Sequence, residues 1–433
     1  MEGEKFMKAG EWINSIRNRE QDRNFGKLYG ADSVTQQAAR YTTLLSRMNQ
    51  YYPGDDVMLF STPGRTEISG NHTDHNLGKV IAAGVHLDSI GAVARSNEMS
   101  ITLISDQYNS PFVVDLSMLD AQEKEIGTTC SLIRGIAARL KQLNYTIGGM
   151  HGFITSNVLT GSGLSSSASI EVLIATMFNH LYNKGRIQPL DLAMTCQYAE
   201  NRFFGKPCGL MDQTACAFGG ITAIDFKNPQ NIAIEKLSYN FQKNGFTLVV
   251  VHSGGSHADL THAYAQIPAE MKSVARELGK AYCREVALEE FVKKLPVIRE
   301  KVGDRALLRY LHFYNENIRV NKQIEYLKTG DIKGYFEEVR QSGSSSWQLL
   351  QNCYEPGDPF NQGISLALAL TEEFLQKEGA CRVHGGGFAG TIQAYIPNSR
   401  LNAYIQYLEP VFGKGAVIPL MIREEGTYSL MPQ

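Results

Sequence analysis

Gly161-Ser162-Gly163-Leu164-Ser165-Ser166-Ser167-Ala168 runs straight into an apolar stretch, residues 170–181, with helical spacing. Glycines let the backbone turn tightly and bring several N–H groups to bear on one point. A helix starting there adds the positive end of its dipole, so the loop suits an anion such as a phosphate. The hydroxyls can add hydrogen bonds or a metal ligand. Taken alone, the same residues also read as a Ser-rich N-cap with no ligand.

Around this loop the chain has the make-up of a globular protein. At 433 residues it is long for one core, and two lobes are expected, residues 1–225 and 226–433. The formal net charge is −2 and there is no basic block, which argues against nucleic-acid partners. The seven cysteines are scattered and never form C-x-x-C, so they read as reduced thiols in the cytoplasm, not as a disulfide frame or zinc site. The first residues are charged and hold no apolar signal core, and no apolar run reaches spanning length. A soluble, membrane-free monomer is expected.

Periodicity places a helical lead-in over the first fifty residues. Strands follow at 57–60, 79–87, 101–105, 112–116 and 152–159, with a helix at 128–143. A helix is expected over 191–202, capped by Asp191. Residues 267–375 read as richly helical, with one long helix over 305–328, and strands return at 391–396 and 416–422.

Three further segments can carry chemistry. In Pro63-Gly64-Arg65-Thr66-Glu67-Ile68-Ser69-Gly70-Asn71-His72-Thr73-Asp74-His75-Asn76, a strand is expected to break at Pro-Gly and deliver an arginine, then a dense polar set. Such a set can hold several hydroxyls at fixed angles, as a sugar requires, and it reads equally as a polar loop with Asx turns. Adjacent spacing gives His72, Asp74 and His75 no supported metal geometry. In Pro207-Cys208-Gly209-Leu210-Met211-Asp212-Gln213, the carboxylate of Asp212 lies in an apolar setting that raises its pKa unless a cation compensates. Arg65 is the candidate cation; a buried structural aspartate is the plainer reading. The run His384-Gly385-Gly386-Gly387-Phe388-Ala389-Gly390 satisfies G-x-G-x-x-G, but it leads into a strand, so a dinucleotide fingerprint is rejected.

Taken together, these segments resemble the GHMP family of small-molecule kinases, in the branch that phosphorylates galactose. The resemblance rests on residues 63–76, 161–168, 207–213 and 384–390, and runs from about residue 57 to the end. It implies an α+β, two-domain fold with mixed sheets and helices and the active site between the lobes. It also implies ATP-dependent phosphorylation of a sugar's anomeric hydroxyl. By the same resemblance Asp212 is the base and Arg65 its partner. Gly161, Gly163, Leu164, Ser165, Ser166, Ser167 and Ala168 surround the ATP phosphates, and Ser167 and Glu200 hold Mg²⁺. Asn71, His72, Asp74, Gly209 and Tyr264 contact the sugar. The branch has Glu where this chain has Asn71, at a position meeting the sugar's C6 hydroxyl; a galacturonate substrate is therefore an alternative. His75 and His384 are further departures. A non-catalytic sugar and ATP sensor is a second alternative, although the loop serines, Arg65, Glu200 and Asp212 are all in place.

Overall fold

The short apolar runs at 57–60 and 79–87 seed two long strands, Asp56–Ser69 and Lys79–Ser96, paired antiparallel from Val57↔Ala94 to Ser69↔Ile81. The first is buried from Val57 onwards because both of its faces are covered. Val57 and Leu59 face a cluster with Trp12, Phe25, Tyr41 and Met48, whereas Met58 and Phe60 face Ile133, Leu173 and Phe178. Period-two alternation thus sorts one strand between two cores. The computed structural model describes residues 6–159, 163–255, 261–388 and 390–431. Among these, the strands form a nine-stranded and a four-stranded sheet.

In the larger sheet, Lys79–Ser96 serves two further neighbours on its other edge. Its first part pairs with Ile221–Asp225 and its second with Gly149–Ser156, both antiparallel. The helical lead-in becomes Ala9–Arg17, Asp22–Tyr29 and Val34–Tyr51. Tyr41, Leu44, Leu45 and Met48 form the buried stripe of the last, at the spacing a helix face requires. The other face of the sheet carries Thr129–Gln142, Ser166–Asn183, Pro189–Ala199 and Met211–Phe218.

The smaller sheet has the order Ala380–His384, Thr391–Pro397, Phe246–His252, Val417–Leu420, all antiparallel. Val249, Val251, Ile392 and Ala394 face the helices Gly363–Leu375 and Leu401–Phe412. Leu248, Val250 and Tyr395 face the other way. They share a core with Ile81, Ala83 and Val85 of the first sheet and with Val320 and Tyr335 of the helices Asp304–Thr329 and Ile332–Ser345. The architecture is α+β, and the two sheets meet through this shared core.

Several expectations need correction. The strand does not break at Pro63-Gly64; it runs through with a register slip between Pro63 and Arg65, a bulge that absorbs the proline's missing N–H. Asp191 is not the cap of its helix, which starts at Pro189 behind Gln188 because proline's fixed φ suits the first helical position. That helix ends at Ala199 and passes into a wider turn, Glu200–Phe204, closed by Gly205 at φ 84°. Ala233–Leu237 pairs antiparallel with Ile221–Asp225, and Tyr428–Leu430 returns to pair with the Asp56–Ser69 strand. A division at residue 225 would therefore cut a hairpin. We propose that the lobes divide between Leu237 and Phe246. Among the described residues, no helix is long and apolar enough to cross a membrane.

Candidate active site

The register slip decides where the arginine goes. A Cβ on Gly64 would lie 2.9 Å from the Leu164 carbonyl oxygen, so only glycine lets the loop approach. The Arg65 amide then donates to Leu164 O at 3.0 Å. Across the gap, Arg65 Nε donates to Asp212 Oδ1 at 2.7 Å, and Nη1 donates to the Gly163 carbonyl. Asp212 sits in the first turn of Met211–Phe218, where the helix dipole favours an anion. Its second oxygen accepts from Ser165 Oγ at 2.5 Å. Burial alone would push the Asp212 carboxyl up; the charge and hydrogen bond of Arg65, with that of Ser165, outweigh burial and hold it below the ordinary carboxylate range. About a third of the side chain, 33%, still reaches solvent, against 8% for Arg65. An ionised base with an open face results.

The loop is not an ordinary cap. Ser165 stands at the N-cap position of Ser166–Asn183 with φ 55°, and its side chain makes no capping bond, its hydroxyl donating to Asp212 instead. The first N–H groups of the helix are thus left to a ligand. Ser166 and Ser167 occupy the first turn, half-buried. Leu164 and Ala168 turn their side chains into the core, so only their backbones can meet a ligand. Gly163 has φ 71° and packs on His384 and Thr391, which ties the loop to the second sheet. Gly161 lies outside the described residues.

Glu200 is buried at the start of its turn. Its Oε2 accepts from Gln213 Nε2 at 2.8 Å, and Lys206 Nζ lies 3.7 Å from Oε1. The same amide nitrogen donates at 3.2 Å to Glu171 Oε2. Burial, then the neighbouring Glu200, push the Glu171 carboxyl well above the ordinary range. Sequence reading missed Glu171, although it is a lone acid in the apolar run 170–181, four residues beyond Ser167.

On the expected sugar side, Asp74 and Gly209 are in contact. A Cβ on Gly209 would sit 1.7 Å from Asp74 Oδ2. Asp74 Oδ1 accepts the His75 N–H at 3.0 Å. His72, at φ 58°, donates from Nε2 to Gly386 O at 2.9 Å, and burial drops its pKa to about 3, so the ring is neutral. Tyr264 OH donates to Gly387 O at 2.8 Å, and its ring fills the space where a Gly386 Cβ would go. The glycine turn joins two antiparallel strands, Ala380–His384 and Thr391–Pro397. His72 and Tyr264 clamp that turn.

Asn71 needs correction. It is fully buried, and its Nδ2 donates to Glu67 Oε1 at 3.0 Å and to Gly385 O at 2.6 Å. Its Oδ1 accepts from Asn352 Nδ2 at 2.8 Å. The amide is spent on the protein, so the inference from Asn71 to a C6 carboxylate loses its footing.

Two clefts border these elements. One of 530 Å³ lies between Leu119, Lys141, Tyr198 and Arg202, behind the Glu200 turn, and contains neither Arg65 nor Asp212. The other, 420 Å³, reaches the glycine turn at Phe388, with His262, Arg305 and Arg309 on its walls.

With this geometry in place, comparison with known proteins is specific. Residues 131–220 match the family described as GHMP kinases N terminal domain, and residues 49–95 match the galactokinase galactose-binding signature. The chain is 27% identical over 398 residues to a galactokinase of Clostridium tetani, covering 91% of this chain and 92% of that protein. It is 29% identical over 341 residues to a galactokinase of Pyrococcus furiosus, covering 78% and 89%. In fold it is similar to the crystal structure of Lactococcus lactis galactokinase complexed with galactose, with a TM-score of 0.76 at 21% identity, covering 90% of this chain and 99% of the other.

Proposed function

We infer that this chain is a GHMP kinase and transfers the terminal phosphoryl group of ATP to the anomeric hydroxyl of galactose. One observation carries the reading: an ionised, partly open carboxylate, Asp212, is held between Arg65 and the Ser165 hydroxyl of the glycine–serine loop. Phosphoryl transfer needs alignment of the reacting oxygens and cancellation of spread negative charge more than it needs covalent chemistry. Asp212 accepts or orients the hydroxyl proton. Arg65 keeps that carboxylate ionised and adds positive charge beside the loop. The free N–H groups of Ser166–Asn183 receive phosphate oxygens. Asp74 and Gly209, packed against each other, form the wall that orients the sugar.

Ser167 and Glu200 would hold a magnesium ion, which when bound offsets charge on the phosphates. The residues fit it: the donors are all oxygen, and next to Glu200 a buried carboxylate oxygen, Glu171 Oε1, has no hydrogen-bond partner among the described residues. We further propose a monomer, and a cytoplasmic location that the seven free cysteines support.

The test is a coupled assay of ATP consumption across galactose, galacturonate, N-acetylgalactosamine and glucose, with product analysis. Galactose should be turned over fastest, with phosphate on the anomeric oxygen. Phosphate on another oxygen, or no turnover with any of these sugars, refutes the reading.

A further inference from the structure

Glu171 interrupts the apolar face of Ser166–Asn183 and is fully buried there. Gln213 Nε2 bridges it to Glu200, with donor–acceptor distances of 3.2 and 2.8 Å. This leaves Glu171 Oε1 and Gln213 Oε1 buried and without partners among the described residues. The cation paired with Glu200 is Lys206, at 3.7 Å, with 65% of its side chain exposed. Elsewhere in the core three buried acids are matched by buried arginines, Asp88 by Arg423, Glu67 by Arg382 and Glu316 by Arg319, and a fourth, Glu338, pairs directly with Lys322 at 2.9 Å. Glu171 has no such arginine. Two buried carboxylates with spare acceptors and no buried cation are unfavourable in a bare interior, and a divalent ion that prefers oxygen neighbours relieves them. Helix geometry adds a third element. Ser167 and Glu171 are four residues apart, so they lie on one face of the helix, one turn apart.

We propose that Glu171 is a positioning residue for the divalent cation, orienting Glu200 through the Gln213 amide and, where the ion's charge would offset its burial, adding a second negative charge to the site. The inference rests on the kinase reading above, and it concerns a carboxylate that the sequence motifs do not mark. A residue acting on a metal through a ligand changes affinity for the metal before it changes anything else, by about 10- to 100-fold in comparable sites.

The experiment measures Mn²⁺ binding directly, by paramagnetic resonance of the free ion, to the full-length protein saturated with a non-hydrolysable ATP analogue. Glu171→Gln keeps the shape of the side chain and removes its charge. We expect Mn²⁺ affinity to fall at least tenfold, while affinity for galactose, read by calorimetry, stays within about twofold. Gln213→Asn withdraws the bridging amide and should produce the same fall, and the double variant should lose no more than the worse single one. Should Glu171→Gln not fold, Gln213→Asn carries the test alone. Unchanged Mn²⁺ affinity in a folded variant overturns the proposal, as does strict additivity of the two losses. A wild-type protein that binds the Mn²⁺–nucleotide pair but phosphorylates no sugar refutes the kinase reading and leaves the cation assignment standing.

Discussion

Replacing Gly209 by alanine tests the sugar wall through a single methyl group. Its Cβ would lie 1.7 Å from Asp74 Oδ2 and 2.6 Å from Asp74 Cγ. Since real Cβ atoms essentially never approach closer than 3.0 Å, the carboxylate oxygen must retreat by at least about 1.3 Å, the difference between 3.0 and 1.7. A hydroxyl seated about 2.7 Å from that oxygen would be left about 4.0 Å away, beyond hydrogen-bond reach. A hydrogen bond to a charged group contributes about 1.5–3 kcal/mol, so kcat/KM for galactose should fall about 10- to 150-fold. The backbone adds little, because Gly209 does not occupy the left-handed region. The assay is steady-state kinetics with galactose at saturating ATP, alongside thermal unfolding. Asp74→Ala provides the reference. Once the Asp74 carboxylate is gone the added methyl meets no atom closer than 3.4 Å, ordinary contact distance, so Gly209→Ala should cost little further in that background. A kcat/KM within about threefold of wild type, or independent losses in the double variant, would refute the reasoning.

Asp212→Asn should remove turnover by about a thousandfold and leave galactose affinity near wild type; kcat and calorimetric binding check it, and undiminished turnover rules out the base assignment. The Asp212 carboxyl is held below the ordinary aspartate value of 3.8, so the competent anion is present above that value and is lost as pH falls through the depressed one. The wild-type pH–kcat profile should therefore show no acid limb from Asp212 above about pH 4, whereas Arg65→Met, which removes the main counterweight to burial, should bring one up into view. Asp88 accepts from Tyr29 at 2.6 Å and from Arg40 at 2.5 Å, with Arg423 Nη1 at 3.3 Å, so Asp88→Asn should cost about 3–5 kcal/mol in urea unfolding at pH 7. Burial pushes that carboxyl up, but the two arginines outweigh it and lower it; its stabilisation is full above the unfolded value and fades as pH falls through the folded one. The gap between wild type and variant should narrow in strong acid, and a constant gap contradicts the pairing.

What the sequence displayed best was what local chemistry dictates. The lead-in helices, the long helix Asp304–Thr329 and the strand after the glycine turn were all readable from periodicity and breakers. The Arg65–Asp212 pair was readable too, because an aspartate beside Leu210 and Met211 requires a cation. Asn71 was misread because its neighbours are distant in sequence: Gly385 and Asn352 lie 314 and 281 positions away. Glu171 was overlooked for a related reason, since its hydrogen-bond partner among the described residues, Gln213, lies 42 positions on. Local pattern reports what a residue needs and leaves open who provides it.

That gap has a structural consequence at the junction of the two sheets. Just before the sugar segment, Glu67 accepts from Arg382 Nη2 at 2.5 Å, and Arg382 Nη1 donates to Ile68 O at 3.0 Å. The Gly70 amide donates to Glu316 Oε1 at 3.3 Å, and His312 Nε2 donates to Asn71 O at 3.0 Å. Burial drops the His312 pKa to about 4, so the ring is neutral; Arg319 and its neighbours overcome burial to hold Glu316 at about 2, ionised. On the loop side, His384 Nε2 accepts the Glu67 N–H at 3.1 Å while its ring packs on Gly163. The segment from Arg65 to Asp74 is therefore gripped by directional bonds from the second sheet and the helix Asp304–Thr329 instead of resting on apolar packing alone. Apolar contact tolerates sliding of a few tenths of an ångström, whereas a buried ion pair loses several kcal/mol when one partner is withdrawn. A site that must align a hydroxyl with a phosphate needs the stiffer connection. Placing charged groups at the junction thus couples the positions of Arg65, the serine loop and the glycine turn, and a change at Arg382 should be felt at Asp212 although the two side chains do not touch.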